Sequence, residues 1–221
     1  MTGFKKCGVF WRSTIALALI LGAGVESANA GPEEDFANGM ISYRRSDFFA
    51  ALPLLRKAAD AGHTEAQVIL ASILDTAESD EEAVAYYRKA AAAGNLDGIY
   101  GLGTMLSAGE GVKKDPKEAM ILITRAAEGG HKLAIRSLAQ VYLRGELDIG
   151  EERRKGAEAL KWIVLAADDE FMPALEALEK AHRAGEYGLA PDVAKADALK
   201  RKIAQLKGVR DKKRRRGGDK Q

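Results

Sequence analysis

Apolar residues recur along most of the chain at steps of three and four, the spacing of one face of an α-helix. Two such stripes follow each other between residues 98 and 127. The first contains Gly98, Leu102, Gly103 and Leu106, and the second contains Ala119, Leu122, Ile123, Ala126 and Ala127. Runs of Val, Ile and Thr, which favour strands, are scarce, whereas alanine, the best helix former, is abundant. The pattern therefore predicts an all-α fold built from amphipathic helices.

The helix pair is repeated in tandem. Paired alanines stand at 58–59, 90–91, 126–127 and 166–167, so the spacing between successive pairs is 32, 36 and 40 residues. A glycine and a polar residue follow the first three pairs, at 62–63, 94–95 and 130–131. We expect these glycines to end the second helix of each unit in a left-handed conformation. In the longer connection before residue 116, Asp115 and Pro116 fit the N-cap and the first helical position.

The first 30 residues have the layout of a secretory signal peptide. Lys5 and Lys6 precede an uncharged run at 13–25, and a small-x-small motif ends at Ala30. We expect cleavage between Ala30 and Gly31 and export to the periplasm. Because the run is shorter than the ~20 residues of a spanning helix, the mature chain would carry no transmembrane span. The alternative is an uncleaved signal that anchors the protein at the inner membrane.

The repeated residues resemble the SEL-one-like repeat family, a relative of the tetratricopeptide repeats. One unit supplies Gly98, Leu102, Gly103, Gly109, Gly111, Val112, Asp115, Ala119, Ala126, Ala127 and Gly130, and the next supplies Tyr142, Gly145 and Trp162. The resemblance implies a right-handed α-solenoid of stacked antiparallel helix pairs. It divides the mature chain into a capping pair at 31–62, a repeat array at 63–206 and a tail at 207–221. The last unit departs from the pattern, with Glu179 and His182 at positions of a small residue and a tyrosine.

The resemblance also implies that the first helix of each pair lines a concave face that binds a protein or peptide. Positions on these helices away from the packing stripe form the candidate site, with a plain solvated surface as the alternative. They are Tyr100, Thr104, Arg136, Gln140, Glu176 and Lys180. The expected function is therefore a protein-binding module, such as an adaptor, scaffold or regulator, in the bacterial cell envelope.

Candidate chemistry does not change this interpretation. The only cysteine, Cys7, would be removed with the signal peptide. His63 and His131 occupy the same position after successive glycines, which favours a role in the turn over metal binding. The sequence contains no Walker loop, dinucleotide fingerprint or Gly-x-Ser-x-Gly. We therefore expect no catalytic residues, metal or cofactor. The alternative is an envelope enzyme or enzyme subunit acting on cell-wall or polysaccharide material, with a β-lactamase-like activity disfavoured.

The tail at 207–221 has eight basic residues, two acidic residues and one apolar residue, Val209. Such a composition predicts disorder, because it offers little apolar surface to bury. The basic charge admits contact with anionic lipid, polysaccharide or an acidic partner. Nucleic acid is disfavoured, since the tail has no aromatic residue for base stacking.

Overall fold

The computed structural model describes the backbone of residues 31–218 and the side chains of residues 31–209. The predicted signal peptide, including Ala30, and the last three residues lie outside this part, in which every regular element is a helix. Gly31 is the N-cap residue of the first helix. The helices are α1 (Pro32–Arg44), α2 (Phe48–Asp60), α3 (Thr64–Thr76), α4 (Asp80–Ala92), α5 (Leu96–Ala108), α6 (Pro116–Glu128), α7 (Lys132–Arg144), α8 (Glu151–Arg154), α9 (Ala157–Asp168), α10 (Met172–Ala184) and α11 (Val193–Gly218).

Helices that follow each other in sequence pack against each other. The pairs are α1–α2, α3–α4, α5–α6, α7–α9 and α10–α11, and the second helix of each pair also contacts the first helix of the next pair. The short α8 lies in the insertion that lengthens the third repeat. This arrangement confirms the predicted all-α solenoid of stacked helix pairs.

Turn and cap residues recur at equivalent places. Gly62, Gly94 and Gly130 have φ of +94°, +81° and +88°, which confirms the predicted left-handed conformation. The residue after each glycine caps the next helix: His63, Asn95 and His131 accept the backbone N–H three residues later. Asp115 accepts the N–H groups of Lys117 and Glu118 at 3.1 and 3.0 Å, which confirms it as the N-cap of α6. Short-range hydrogen bonds thus fix where each unit begins.

The core alternates small and large side chains along the solenoid. All four alanine pairs are buried between helices, and Trp162 and Tyr142 are the largest fully buried side chains. Gly103 allows close approach of α5 to α6, because a Cβ there would lie 2.9 Å from Cγ1 of Ile123. Buried hydrophobic residues continue from Ala58 to Leu178, so each unit shares its core with its neighbours.

The C-terminal helix differs from the prediction. Disorder was expected from residue 207, whereas the described backbone of α11 continues as a helix to Gly218. Leu199, Ile203 and Leu206 pack against the last core cluster and hold the first part of α11 in place. Extending a formed helix costs far less than starting one, and Lys and Arg are good helix formers. The basic segment therefore prolongs a helix that tertiary packing has already nucleated.

Candidate binding surface on the first helices of the repeats

The six predicted binding residues form two columns across α5, α7 and α10. Tyr100, Arg136 and Glu176 stand five residues after the N-cap position of their helices, and Thr104, Gln140 and Lys180 stand one turn later. Because the repeats are stacked in register, equivalent positions lie on neighbouring helices.

The first column is held by contacts between repeats. The Tyr100 hydroxyl lies 2.9 Å from Oγ of Ser137 on the next first helix. The Tyr100 ring also packs against the ring of His131, with 4.8 Å between centroids. His131 faces Oδ1 of Asp97 at 2.9 Å through Nε2. Tyr100 therefore helps to join the second and third repeats, and only part of its side chain remains available to a partner.

Arg136 belongs to a small charged cluster at the turn between α9 and α10. Its guanidinium lies 2.5 Å from Oδ2 of Asp169 and donates to the Asp169 carbonyl at 3.2 Å. Lys132 contacts the other carboxylate oxygen at 2.9 Å. Hydrogen bonds from Lys132 and then Arg136 lower the pKa of Asp169. The ion pair and the hydrogen bond to the Asp169 carbonyl together orient the Arg136 guanidinium.

Thr104 and Gln140, from the second column, line one groove between α5 and α7. Its volume is about 270 Å³, and its floor includes Ile123, Val141 and Leu147. Thr104 donates its hydroxyl to the Gly101 carbonyl at 2.7 Å. The Gln140 amide, with its oxygen turned toward Arg144, accepts from that guanidinium at 2.8 Å. We call this the α5–α7 groove; it presents polar groups over an apolar floor.

Glu176 and Lys180 do not reach the α5–α7 groove. Both residues line a separate depression between α10 and α11, together with Lys200, Ile203 and Lys207. Glu176 pairs with Lys207 at 2.8 Å, whereas Lys180 is exposed. The structure thus divides the six predicted positions between two places, and their role in binding stays a prediction.

Sequence reasoning missed three polar residues of the α5–α7 groove, which are Ser107, Ser137 and Glu146. Ser107 follows Thr104 by three residues, and Ser137 precedes Gln140 by three, so helical spacing could have found both. Glu146 follows the left-handed Gly145, beyond the end of α7. Its position depends on the path of the insertion, which the periodicity does not reveal.

Sequence reasoning also missed a larger groove, of about 600 Å³, between α6 and the insertion of the third repeat. Met120 and Ile121 form one side of it, and Leu147 and Ile149 form the other. Arg153 and Glu158 pair at 3.1 Å at its edge. Burial works against ionisation of Glu158, but the hydrogen bond from Arg153 helps to lower its pKa overall. The carboxylate is therefore neutralised by a fixed partner.

His, Cys, Asp and Glu side chains are the groups that could hold a metal ion among the described residues. Across residues 31–209, no group of three or more His, Cys, Asp or Glu side chains is arranged to hold a metal ion. The two periodic histidines serve as helix caps, which confirms their predicted role in the turns. Among the helices of the described part, none combines the length and apolar character needed to cross a bilayer.

Comparisons with known proteins agree with the repeat pattern. A family model described as Sel1 repeat matches residues 39–63, 73–95, 96–131 and 132–170. Chitin synthase regulatory factor 2 of Schizosaccharomyces pombe is 31% identical over 129 residues, which cover 56% of this chain. The match spans only 25% of that curated relative.

Solved structures share the fold. The chain is similar to c5321, a protective antigen of uropathogenic Escherichia coli that displays an SLR fold, with a TM-score of 0.70 and 25% identity. This match covers 79% of the present chain and 38% of c5321. A Sel1 repeat protein of Oxalobacter formigenes matches with a TM-score of 0.61 and 25% identity, covering 76% of this chain and 68% of that one.

Proposed function

The chain belongs to the Sel1 repeat family, and we propose that it is a non-enzymatic protein-binding module of the bacterial cell envelope. Sel1 repeats typically mediate protein–protein interaction. The observation that best supports the proposal is the α5–α7 groove, where Thr104, Ser137 and Gln140 stand over an apolar floor. Stacked repeats commonly bind along such an extended surface.

The groove suits an extended peptide segment of a partner. Hydroxyl and amide groups on its walls offer hydrogen bonds to a peptide backbone, and the floor of Ile123, Val141 and Leu147 accepts an apolar side chain. Arg136 lies one turn before Gln140 on α7, where its guanidinium pairs with Asp169. We therefore expect the segment to place an apolar residue on the floor of the groove and its backbone against the polar walls.

A regulatory or adaptor role follows more readily from this surface than catalysis. The curated relative is named as a regulatory factor of chitin synthase, although the match spans only a quarter of that protein. By analogy, the partner of this chain would be an envelope protein whose assembly or activity it controls. The analogy concerns the kind of role and does not extend to chitin.

Affinity capture from envelope extracts, followed by mass spectrometry, would identify the partner. Binding of that partner should then fall in the Thr104→Ala and Gln140→Ala variants, and further when Arg136→Ala is added. Arg88→Ala is the matched control, since it removes an exposed cation from α4, outside the groove. Unchanged binding by correctly folded groove variants, judged by circular dichroism, would remove the groove from the proposal.

Export rests on residues 1–30, which lie outside the described part of the chain. We propose cleavage between Ala30 and Gly31 and a periplasmic location, with retention at the inner membrane through an uncleaved signal as the alternative. Intact mass measurement after expression with the native N-terminus distinguishes the two outcomes. A bulky substitution, Ala28→Trp, should block cleavage because the cleavage site needs small residues. A protein of full mass in the cytoplasmic fraction would contradict export.

The basic end of α11 provides a second contact in this proposal, directed at an acidic partner or surface. Its charge supports electrostatic attraction, which salt screens. Retention on a polyglutamate column should therefore fall as salt rises. Removing residues 209–221 should abolish retention with little loss of stability, because the packed residues of α11 end at Leu206. Retention that persists without this segment would show that it is not the contact.

A further inference from the structure

The turn between α1 and α2 carries an exposed aromatic cluster. Phe49 is 94% exposed and Phe48 is 49% exposed, at the first two positions of α2. The ring of Tyr43, near the end of α1, meets the Phe48 ring edge to face with 5.7 Å between centroids. We call Tyr43, Arg44, Arg45, Phe48 and Phe49 the α1–α2 tip. Large apolar side chains this exposed often mark an interaction site.

The next repeat shows that the fold does not require this chemistry. The α3–α4 turn has the same length, and Glu78 takes the same left-handed conformation as Ser46, with φ of +58° and +60°. Asp80 and Glu81 stand there in place of the two phenylalanines. Acidic residues in the first turn stabilise a helix through its dipole, whereas exposed phenylalanines give no such benefit. The stability of the helix pair therefore does not account for the two phenylalanines.

Positive charge accompanies the aromatic residues. Arg44 and Arg45 are exposed, where the α3–α4 turn has Thr76 and Ala77. Among the described side chains, neither guanidinium forms an ion pair with a carboxylate across α1 and α2. Aromatic residues at a membrane interface place their rings at the headgroup level, and nearby Lys or Arg is attracted to anionic lipid. The α1–α2 tip combines both features within seven residues.

We propose that the α1–α2 tip docks on an anionic phospholipid surface. Phe48 and Phe49 enter the interface, while Arg44 and Arg45 contact headgroup phosphates. Charge complementarity favours this occupant over a tip-to-tip pairing of two copies, because the tip itself has only Asp47 to attract the arginines of another tip. This inference goes beyond the proposed function and does not depend on the α5–α7 groove.

Vesicle binding by residues 31–221, which form one compact unit, tests the inference. Phosphatidylglycerol-containing vesicles should sediment the protein, and pure phosphatidylcholine vesicles should not. Phe48→Asp with Phe49→Glu, which copies the α4 sequence, should weaken binding roughly tenfold or more. Arg44→Thr with Arg45→Ala should weaken it by about fivefold per arginine. Leu133→Ser is the control, since Leu133 is 54% exposed on α7 and lines none of the grooves described above, so its loss should change nothing.

A Phe49→Trp variant separates the tip from the basic end of α11. Trp162 is buried, so a change in emission on adding vesicles would come from position 49. A blue shift with anionic vesicles supports insertion of the tip. Sedimentation with vesicles but unchanged emission assigns binding to α11 and overturns the proposal. Dimerisation without vesicles that Phe48→Asp with Phe49→Glu abolishes would also overturn it, in favour of a second copy.

Discussion

The ring of Tyr87 on α4 occupies the space that a side chain would need at Gly101 on α5. A Cβ at Gly101 would lie 2.6 Å from Cδ1 and 2.7 Å from Cζ of Tyr87. Burial raises the pKa of the Tyr87 hydroxyl to about 12, with the charge of Asp75 adding to the effect. The absence of a side chain at Gly101 therefore leaves the room that the buried, neutral ring of Tyr87 occupies in the packing between the two repeats.

We expect Gly101→Ala to destabilise the protein. Overpacking costs about 1–3 kcal/mol and outweighs the gain of about 1 kcal/mol in helix propensity. Gly208→Ala is the control, because a Cβ there meets no atom within 4 Å and only the gain in helix propensity applies. Urea denaturation measures both. If Gly101→Ala unfolds at the same urea concentration as the wild type, the contact with Tyr87 is not tight.

Gly111 lies where the backbones of two successive repeats approach each other closely. It has φ of +61°, and a Cβ there would lie 2.5 Å from the backbone nitrogen of Glu81. Gly62 has a φ of +94° but open space around it. Left-handed conformations cost a non-glycine residue about 1–2 kcal/mol, so both Gly→Ala variants lose that amount. Gly111→Ala should lose more stability, because its Cβ would clash with the backbone of Asp80 and Glu81, which cannot move away as a flexible side chain can. Equal losses in thermal denaturation would contradict the close approach.

His131 caps α7 through Nδ1, which accepts the Ala134 N–H at 3.1 Å. Its neutral ring therefore carries the proton on Nε2, which faces Asp97. His131→Ala should cost about 0.5–2 kcal/mol, as other cap removals do. His131→Asn should retain most of the stability, because Asn95 caps α5 in the same way. Equal stability of the Ala and Asn variants in urea would show that the cap contributes nothing.

Asp169 should make stability depend on acid pH. Hydrogen bonds from Lys132 and then Arg136 lower its pKa in the folded state. The resulting stabilisation is fully present above the unfolded pKa of about 3.9 and is lost as pH falls through the folded pKa. Asp169→Asn should therefore be less stable than the wild type near neutral pH, with a difference that shrinks toward about pH 3. Urea unfolding at both values measures it.

Removing the partners of Asp169 provides the control for this prediction. In a Lys132→Ala, Arg136→Ala background, Asp169→Asn should have no pH-dependent effect, because no hydrogen bond from those side chains remains. A difference that persists in that background would show that other groups lower the pKa of Asp169.

The sequence by itself determined the paired helices of the repeats, their order and the glycine turns between them. The three-and-four spacing of apolar residues, the glycines at 62, 94 and 130, and the cap at Asp115 act within a few residues of themselves. The turn between α9 and α10 lacks these local signals. Glu170, with φ of +56°, stands where the earlier turns have glycine, and the side chain of Phe171 does not cap α10. Local chemistry sufficed for the elements because hydrogen bonds of helices and turns close over short distances.

Only the tertiary structure decided which surfaces those helices form. Thr104 and Gln140 meet in one groove because α5 and α7 stack in register, whereas Lys180 lies in another. The basic segment after Leu206 is helical because packing on α10 nucleates α11, and composition alone predicted disorder. Phe49 lies outside the packed faces of α1 and α2 and is 94% exposed. These outcomes depend on contacts between residues distant in sequence, which periodicity does not encode.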